Sequence, residues 1–140
     1  MNTLDIVGGS KKQQFWAREA FVFALDYLLP RHRSLEITIE FKNLKGVDGW
    51  CMWEDDNVNP REFNIMVYRG FGRENVIKTV LHEMVHVKQY AKGELKERYK
   101  YGHKQLWKGK DHSDTDYWDQ PWEKEAYELQ DEMYAKMENI

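Results

Sequence analysis

The stretch Leu81-His82-Glu83-Met84-Val85-His86 lies in a segment whose apolar residues recur at the spacing of an α-helix. These residues form one broad arc: Val76, Ile77, Val80, Leu81, Met84, Val87 and Ala91. His82 and His86 lie on the opposite side of this predicted helix, and Gly93 is typical of a helix end. The sequence therefore predicts a helix over 76–91 that packs one face on a core and turns its two histidines towards another part of the chain.

The two histidines are four residues apart, so on a helix they lie one above the other on the same face. Their imidazole nitrogens can bind one tetrahedral ion, with positions left for a third protein ligand and a water molecule. The ligand type indicates Zn²⁺. Glu83 lies about 100° around the helix from His82, where it is poorly placed as a ligand but can act as a general base towards the water. The pattern predicts His82 and His86 as metal ligands and Glu83 as the catalytic base.

A third ligand is expected on the last predicted helix, Pro121–Met137, which has a proline in its first turn. Its apolar stripe consists of Trp122, Ala126, Leu129, Met133 and Met137. Two carboxylates compete for the metal, and helical geometry separates them. Glu125 lies at the edge of the stripe, where an acid needs a partner such as zinc, whereas Glu123 points about a quarter-turn away. We therefore expect Glu125 to be the third ligand.

Two segments resemble known zinc metallopeptidases: Leu81–Tyr90, which reads LHEMVHVKQY, and Tyr117–Tyr127, which reads YWDQPWEKEAY. An H-E-x-x-H followed by Glu-Ala on a later helix resembles the gluzincins, in which the third ligand is a glutamate. Over about residues 75–128 the chain also resembles small metallopeptidases encoded by bacteriophages, relatives of the SprT-like and ImmA/IrrE-like groups. The resemblance implies a zinc peptidase with Glu83 as its base. Its implied metal ligands are His82, His86 and Glu125.

The chain departs from the compact gluzincin pattern because the connection between His86 and Glu125 is longer. SprT-like relatives often use a third histidine, which makes His103 and His112 rival ligands. A zinc peptidase also needs a hydrogen-bond donor for the oxyanion that forms when water attacks the carbonyl. The candidates for this role are His112, Tyr117 and Tyr127.

The remaining sequence predicts an α+β fold in one domain that covers residues 1–140. Met1–Gly9 is expected to be a short lead, and Ser10 is suited to cap a helix that ends at Pro30. Three strands are expected next, at Leu35–Lys42, Val47–Trp53 and Arg61–Arg69. This order of one helix, three strands, the H-E-x-x-H helix and a last helix is that of a minimal zincin-like fold. In such a fold the strand nearest the cleft commonly binds extended substrate by edge pairing.

The composition indicates a globular protein, because 41% of the residues are hydrophobic and 14% are aromatic. The formal net charge of −3 says little about partners. A single cysteine, Cys51, excludes an internal disulfide and is typical of a reducing compartment. The sequence shows neither a signal-peptide core nor a run of 18 apolar residues. We therefore expect a cytoplasmic protein without membrane contact, in the host cytoplasm if it is phage-encoded.

The segment 88–110 is basic, with eight Lys or Arg against two Glu. Its aromatic residues are Tyr90, Tyr99, Tyr101 and Trp107. Basic residues interleaved with aromatics can bind single-stranded nucleic acid, although a solvated helix extension and loop is the simpler interpretation. The leading hypothesis is thus a zinc-dependent endopeptidase acting on a protein or peptide. The alternative is a nucleic-acid-associated zinc protein of the SprT-like kind that uses this segment, with or without proteolysis.

Overall fold

The computed structural model describes residues 1–55, 59–98 and 102–139. It is an α+β fold with two sheets. The strands of the main sheet are β1 Thr3–Val7, β2 Glu36–Lys42, β3 Gly49–Trp53 and β4 Glu62–Tyr68. The α-helices are α1 Lys11–Leu28, α2 Arg73–Ala91 and α3 Pro121–Glu138. The second sheet contains β5 Leu95–Arg98, β6 Lys104–Trp107 and β7 Lys110–Asp111.

The main sheet has the strand order β1-β2-β4-β3, with β3 antiparallel to β4 and the other neighbours parallel. The three predicted strands are confirmed as β2, β3 and β4. Strict alternation along β2 and β4 buries one face of each of these two strands. The buried side chains are Ile37, Ile39, Phe41, Phe63, Ile65 and Val67. The expectation that Met1–Gly9 is a plain lead is wrong. Thr3–Val7 is instead a fourth strand, in which only Leu4 and Ile6 pack on the core.

Ser10 caps α1 as the sequence predicts. Its hydroxyl accepts a hydrogen bond from the Gln13 backbone, and the Gln13 side chain accepts one from the Ser10 backbone, which closes a capping box. Small side chains on the buried face of α1, which packs against α2, allow a close approach of the two helices. These side chains are Ala17, Ala20 and Ala24.

Helix α2 lies at the centre of the molecule. It begins three residues before the predicted start at Val76 and ends at Ala91 as predicted, with Gly93 in the left-handed conformation at φ 74°. It packs against α1, α3 and the strands β3 and β4, so it is buried on nearly every side. Helix α2, which carries His82 and His86, is thus held between the core on one side and α3 on the other.

Strand β3 runs close to α2 because its first residue is a glycine. A Cβ atom at Gly49 would lie 2.6 Å from the Met66 carbonyl oxygen and 2.6 Å from the Thr79 methyl group. The same position would be 3.7 Å from a carboxylate oxygen of Glu83. The edge strand of the sheet therefore passes directly beside the H-E-x-x-H glutamate.

The basic segment begins as the end of α2, as far as Ala91, but the expected loop after it contains a sheet. The strands of this antiparallel sheet are β5, β6 and β7, while Tyr99 and Tyr101 lie outside the described residues. Cross-strand partners point to the same side, which places Leu95 with Trp107 on one face. The opposite face carries Lys96, Arg98 and Lys104. None of the helices in the described ranges combines the length and the apolar character needed to cross a bilayer.

Candidate metal centre

Helices α2 and α3 meet where His82 and His86 face Glu123. The His82 Nε2 atom lies 3.1 Å from Glu123 Oε1, and His86 Nε2 lies 3.2 Å from Glu123 Oε2. One ligand atom from each of these three residues lies within 4.8 Å of the other two. Among the described residues, this is the group of histidine, cysteine and carboxylate side chains with that spacing. We call His82, His86 and Glu123 the ligand group. Two imidazoles and one carboxylate at this spacing could hold a metal ion.

The structure brings Glu123, and not the expected Glu125, to the two histidines. Glu125 Oε1 instead accepts hydrogen bonds from Lys88 Nζ at 2.7 Å and from Gln89 Nε2 at 3.2 Å. The two glutamates lie on opposite flanks of the buried stripe of α3, which includes Trp122. The helix is rotated so that the Glu123 flank faces the histidines, and the Glu125 flank meets the last turns of α2.

Each histidine has an outer partner, a glutamine side-chain oxygen bound by the ring nitrogen that does not face Glu123. His82 Nδ1 donates to Gln130 Oε1 at 2.9 Å, and His86 Nδ1 donates to Gln89 Oε1 at 2.7 Å. Because an amide oxygen only accepts hydrogen bonds, each ring carries a proton on Nδ1, and a neutral ring has no proton on Nε2. The Nε2 atoms, which face Glu123, are thereby the nitrogens available to a metal.

The metal-free site balances buried charges of both signs. Burial acts to raise the pKa of Glu123, but hydrogen bonds from His82 and His86 outweigh it and hold that pKa well below its usual range. Burial acts to lower the pKa of His86, but its bond to Glu123 and the charge of Glu83 outweigh it and raise the pKa to about 9. Without metal, a protonated His86 therefore neutralises an ionised Glu123, and a divalent cation would supply the positive charge in its place.

Glu83 is 5% exposed and lies in the wall of a cleft of about 710 Å³ that also contains the three ligand residues. Burial is the main cause that raises the pKa of Glu83, and the two histidines partly offset it. The cleft runs between the edge strand β3 and the short 3-10 turn Tyr117–Asp119. Glu83 thus lies beside His82, His86 and Glu123 without being one of the grouped ligand residues.

Two of the three predicted oxyanion donors lie at the ligand group. The Tyr117 hydroxyl donates to Glu123 Oε1 at 3.2 Å and is 3.2 Å from the Tyr127 hydroxyl. The Tyr127 ring packs edge-on against His82, with centroids 4.5 Å apart. Burial, followed by the bond to Tyr127, raises the pKa of Tyr117, so its hydroxyl stays protonated at neutral pH.

The structure brings neither of the rival histidines into the ligand group. His112 Nδ1 lies 3.2 Å from the Thr115 hydroxyl, and its ring packs against Trp122. His103 Nε2 lies 3.5 Å from a Glu97 carboxylate oxygen in the second sheet. Neither histidine therefore joins the ligand group, and neither lines the cleft.

Comparisons of the chain with family models, with curated proteins and with solved structures gave no match. A functional assignment therefore depends on the chemistry of the residues around the cleft. Sequence reasoning did not single out Gln89 and Gln130, the outer partners of the histidines. The signal for Gln89 was its position three residues after His86, a spacing at which side chains on a helix are neighbours.

Proposed function

We propose that this chain is a zinc-dependent endopeptidase. The observation that supports the proposal is the convergence of two imidazoles and one carboxylate in a cleft wall, next to a buried glutamate. Three protein ligands of this type, with one side open to a cleft, are characteristic of catalytic rather than structural zinc. The proposed ligands are His82, His86 and Glu123.

Bound zinc would supply a Lewis acid that polarises both the attacking water and the scissile carbonyl. Glu83 then acts as the general base, accepting a proton from the water and passing it to the leaving amine. The burial that raises the pKa of Glu83 makes its carboxylate a stronger base than an exposed one. Gly49 leaves the space beside Glu83 free of a side chain.

Tyr117 is proposed as the donor to the developing oxyanion. Its hydroxyl is already within hydrogen-bond distance of a ligand residue, and it keeps its proton because its pKa is raised. A donor aimed at the position where negative charge develops stabilises the transition state more than the ground state. Tyr127 orients this hydroxyl and also packs on His82.

The shape of the cleft favours an extended polypeptide as substrate. Strand β3 is at the edge of the sheet, where its outer backbone groups can pair with a peptide strand. Trp50 and Met52 on this strand are 51% and 45% exposed, which provides apolar contact area next to the cleft. An edge strand that pairs along the backbone accepts an internal stretch of chain, which supports endopeptidase activity.

The test is cleavage of an unbiased peptide mixture by zinc-loaded protein, with Glu83→Gln as the matched variant. We expect the wild type to cleave and Glu83→Gln to bind zinc without cleaving, because the amide cannot accept the proton. Removal of zinc by a chelator should abolish cleavage, and added zinc should restore it. Cleavage by Glu83→Gln at the wild-type rate would contradict the mechanism.

A second candidate function is nucleic-acid binding by the second sheet. Lys96, Arg98 and Lys104 share its outward face, which supports contact with phosphates. Tyr90 and Trp107 do not add stacking surfaces there, since their rings pack on Trp53 and Trp122. The test is binding of a labelled single strand at low and high salt. Loss of binding in a triple alanine variant of the three basic residues would support this function, and no binding at low salt would remove it.

A further inference from the structure

Gln89 is a fully buried polar side chain at the contact of α2 with α3. Its relative exposure is 0%, so both polar atoms of its amide need partners within the protein. Its oxygen accepts from His86 Nδ1, and its nitrogen donates to the Trp122 carbonyl oxygen at 2.9 Å and to Glu125 Oε1 at 3.2 Å. The amide thus contacts one metal ligand directly and the backbone next to another.

The partners of Gln89 determine which way its amide points. A backbone carbonyl only accepts hydrogen bonds, and the Glu125 oxygen is paired with the Lys88 ammonium group, so the NH₂ group must face Trp122 and Glu125. The amide oxygen then faces His86 and requires a proton on Nδ1. A neutral His86 ring is therefore held in the tautomer that has its lone pair on Nε2, the nitrogen that faces Glu123.

The Trp122 carbonyl belongs to the peptide group that joins Trp122 to Glu123. A hydrogen bond from Gln89 to this carbonyl anchors the first turn of α3 against α2. The same turn carries Glu123 to the histidines. Gln89 therefore fixes the position of the third ligand as well as the orientation of the second.

We propose that Gln89 is a positioning residue that sets the tautomer of His86 and the position of Glu123, and so determines the metal affinity of the site. The inference depends on the metal centre of the proposed function but not on peptidase activity. Loss of an outer partner of a metal ligand typically weakens metal binding by about 10- to 100-fold. Because Gln89 contacts two ligand-bearing elements, we expect an effect in the upper part of this range.

Gln130 provides a matched control. It is the outer partner of His82, but its amide nitrogen donates to Asp131, an exposed neighbour, rather than to the backbone beside a ligand. Removal of Gln130 should therefore free one histidine and leave Glu123 in place. We expect a smaller loss of affinity for Gln130→Met than for Gln89→Met.

The experiment measures zinc affinity by chelator competition for the wild type, Gln89→Met and Gln130→Met. Proton NMR of the zinc-loaded proteins records the slowly exchanging Nδ1 protons of the two histidines. We expect Gln89→Met to lose the signal of His86 and keep that of His82, and Gln130→Met to show the reverse. A variant that is merely destabilised would change both signals together.

Equal zinc affinity in the wild type and Gln89→Met, with the His86 Nδ1 proton retained, would overturn the inference while leaving the proposed function intact. Failure of the wild type to bind zinc would overturn both. If Gln89→Met does not fold, Gln89→Asn replaces it, because the same amide is then held one methylene further from His86. The His86 proton signal should again be lost, and its persistence with unchanged zinc affinity would contradict the assigned role.

Discussion

Lowering the pH should weaken zinc binding steeply, because zinc must displace a proton from His86. The pKa of His86 in the metal-free protein is raised to about 9, since the bond to Glu123 and the charge of Glu83 outweigh burial. A zinc ligand must be a neutral imidazole, so proton and metal compete for the same nitrogen. Glu123 adds no further competition near neutral pH, because its pKa is held well below the usual range.

The size of the loss in zinc affinity follows from the difference between the pH and the pKa of His86. At pH 7, about two units below the pKa of His86, competition with the proton weakens binding about 100-fold, or by about 3 kcal/mol. At pH 8 the penalty is about tenfold, so the apparent dissociation constant should rise about tenfold between pH 8 and pH 7. Each bound zinc should release about one proton from His86 in this range.

The assay is calorimetric titration with zinc between pH 6.5 and 8.5, repeated in buffers of different ionisation enthalpy to count released protons. His103→Ala is the control, because this histidine lies outside the ligand group and should not change the slope. An apparent affinity that is constant between pH 7 and pH 8, or zinc binding without proton release, would exclude competition between zinc and the His86 proton.

The same shift predicts how the stability of the metal-free protein depends on pH. A folded-state pKa above the ordinary value of 6.5 stabilises the fold below pH 6.5, and this contribution is lost as the pH rises towards about 9. The loss is on the order of 3 kcal/mol. Urea unfolding with chelator present should show this decline, and zinc-loaded protein should not. A metal-free protein that gains stability between pH 6.5 and 9 would contradict the protonation state assigned to His86.

Three substitutions test other parts of the site. Glu125→Gln should keep zinc but lower the free energy of unfolding by about 1–2 kcal/mol, measured in urea, because Lys88 loses a charged partner in a half-buried contact. Tyr117→Phe should lower kcat about 100-fold with zinc content unchanged, measured on a cleaved peptide. Gly49→Ala should destabilise the protein by about 1–3 kcal/mol in the same urea assay, because the new methyl group would contact the Met66 carbonyl at 2.6 Å.

Each of these expectations has a contradicting outcome. Loss of zinc in Glu125→Gln would return this residue to the ligand set. An unchanged kcat in Tyr117→Phe would exclude the hydroxyl as oxyanion donor, and loss of zinc there would make it a structural support of Glu123 instead. Wild-type stability in Gly49→Ala would mean that strand β3 does not approach α2 as closely as the structure indicates.

The parts of the fold that the sequence predicts correctly are those with a strong local pattern. Periodicity gives the extent of α2 to within three residues at its start, and strict alternation gives β2 and β4. Strand β1 was missed because it is only five residues long and has only two core residues, which is too short an alternation to predict a strand. Its pairing with β2 becomes apparent only once the sheet is formed. The second sheet was missed because its strands are only two to four residues long and each contains a lysine, so they lack an apolar alternation.

The proposed metal centre shows the same division between local and tertiary information. His82, Glu83 and His86 are identified by spacing on one helix. The choice between Glu123 and Glu125 depends on the rotation of α3 about its axis, which a single-helix argument cannot provide. That rotation is associated with contacts between elements far apart in sequence, such as the hydrogen bond from Gln89 to the Trp122 carbonyl.

The most direct test of the proposed centre is the zinc content and zinc affinity of three proteins: the wild type, Glu123→Gln and Glu125→Gln. We predict one zinc per chain for the wild type and for Glu125→Gln, with similar affinities. Glu123→Gln should bind at least about 100-fold more weakly, because it loses the anionic ligand of the site. Zinc loss in Glu125→Gln with retention in Glu123→Gln, or a wild type that binds no zinc, would contradict the account.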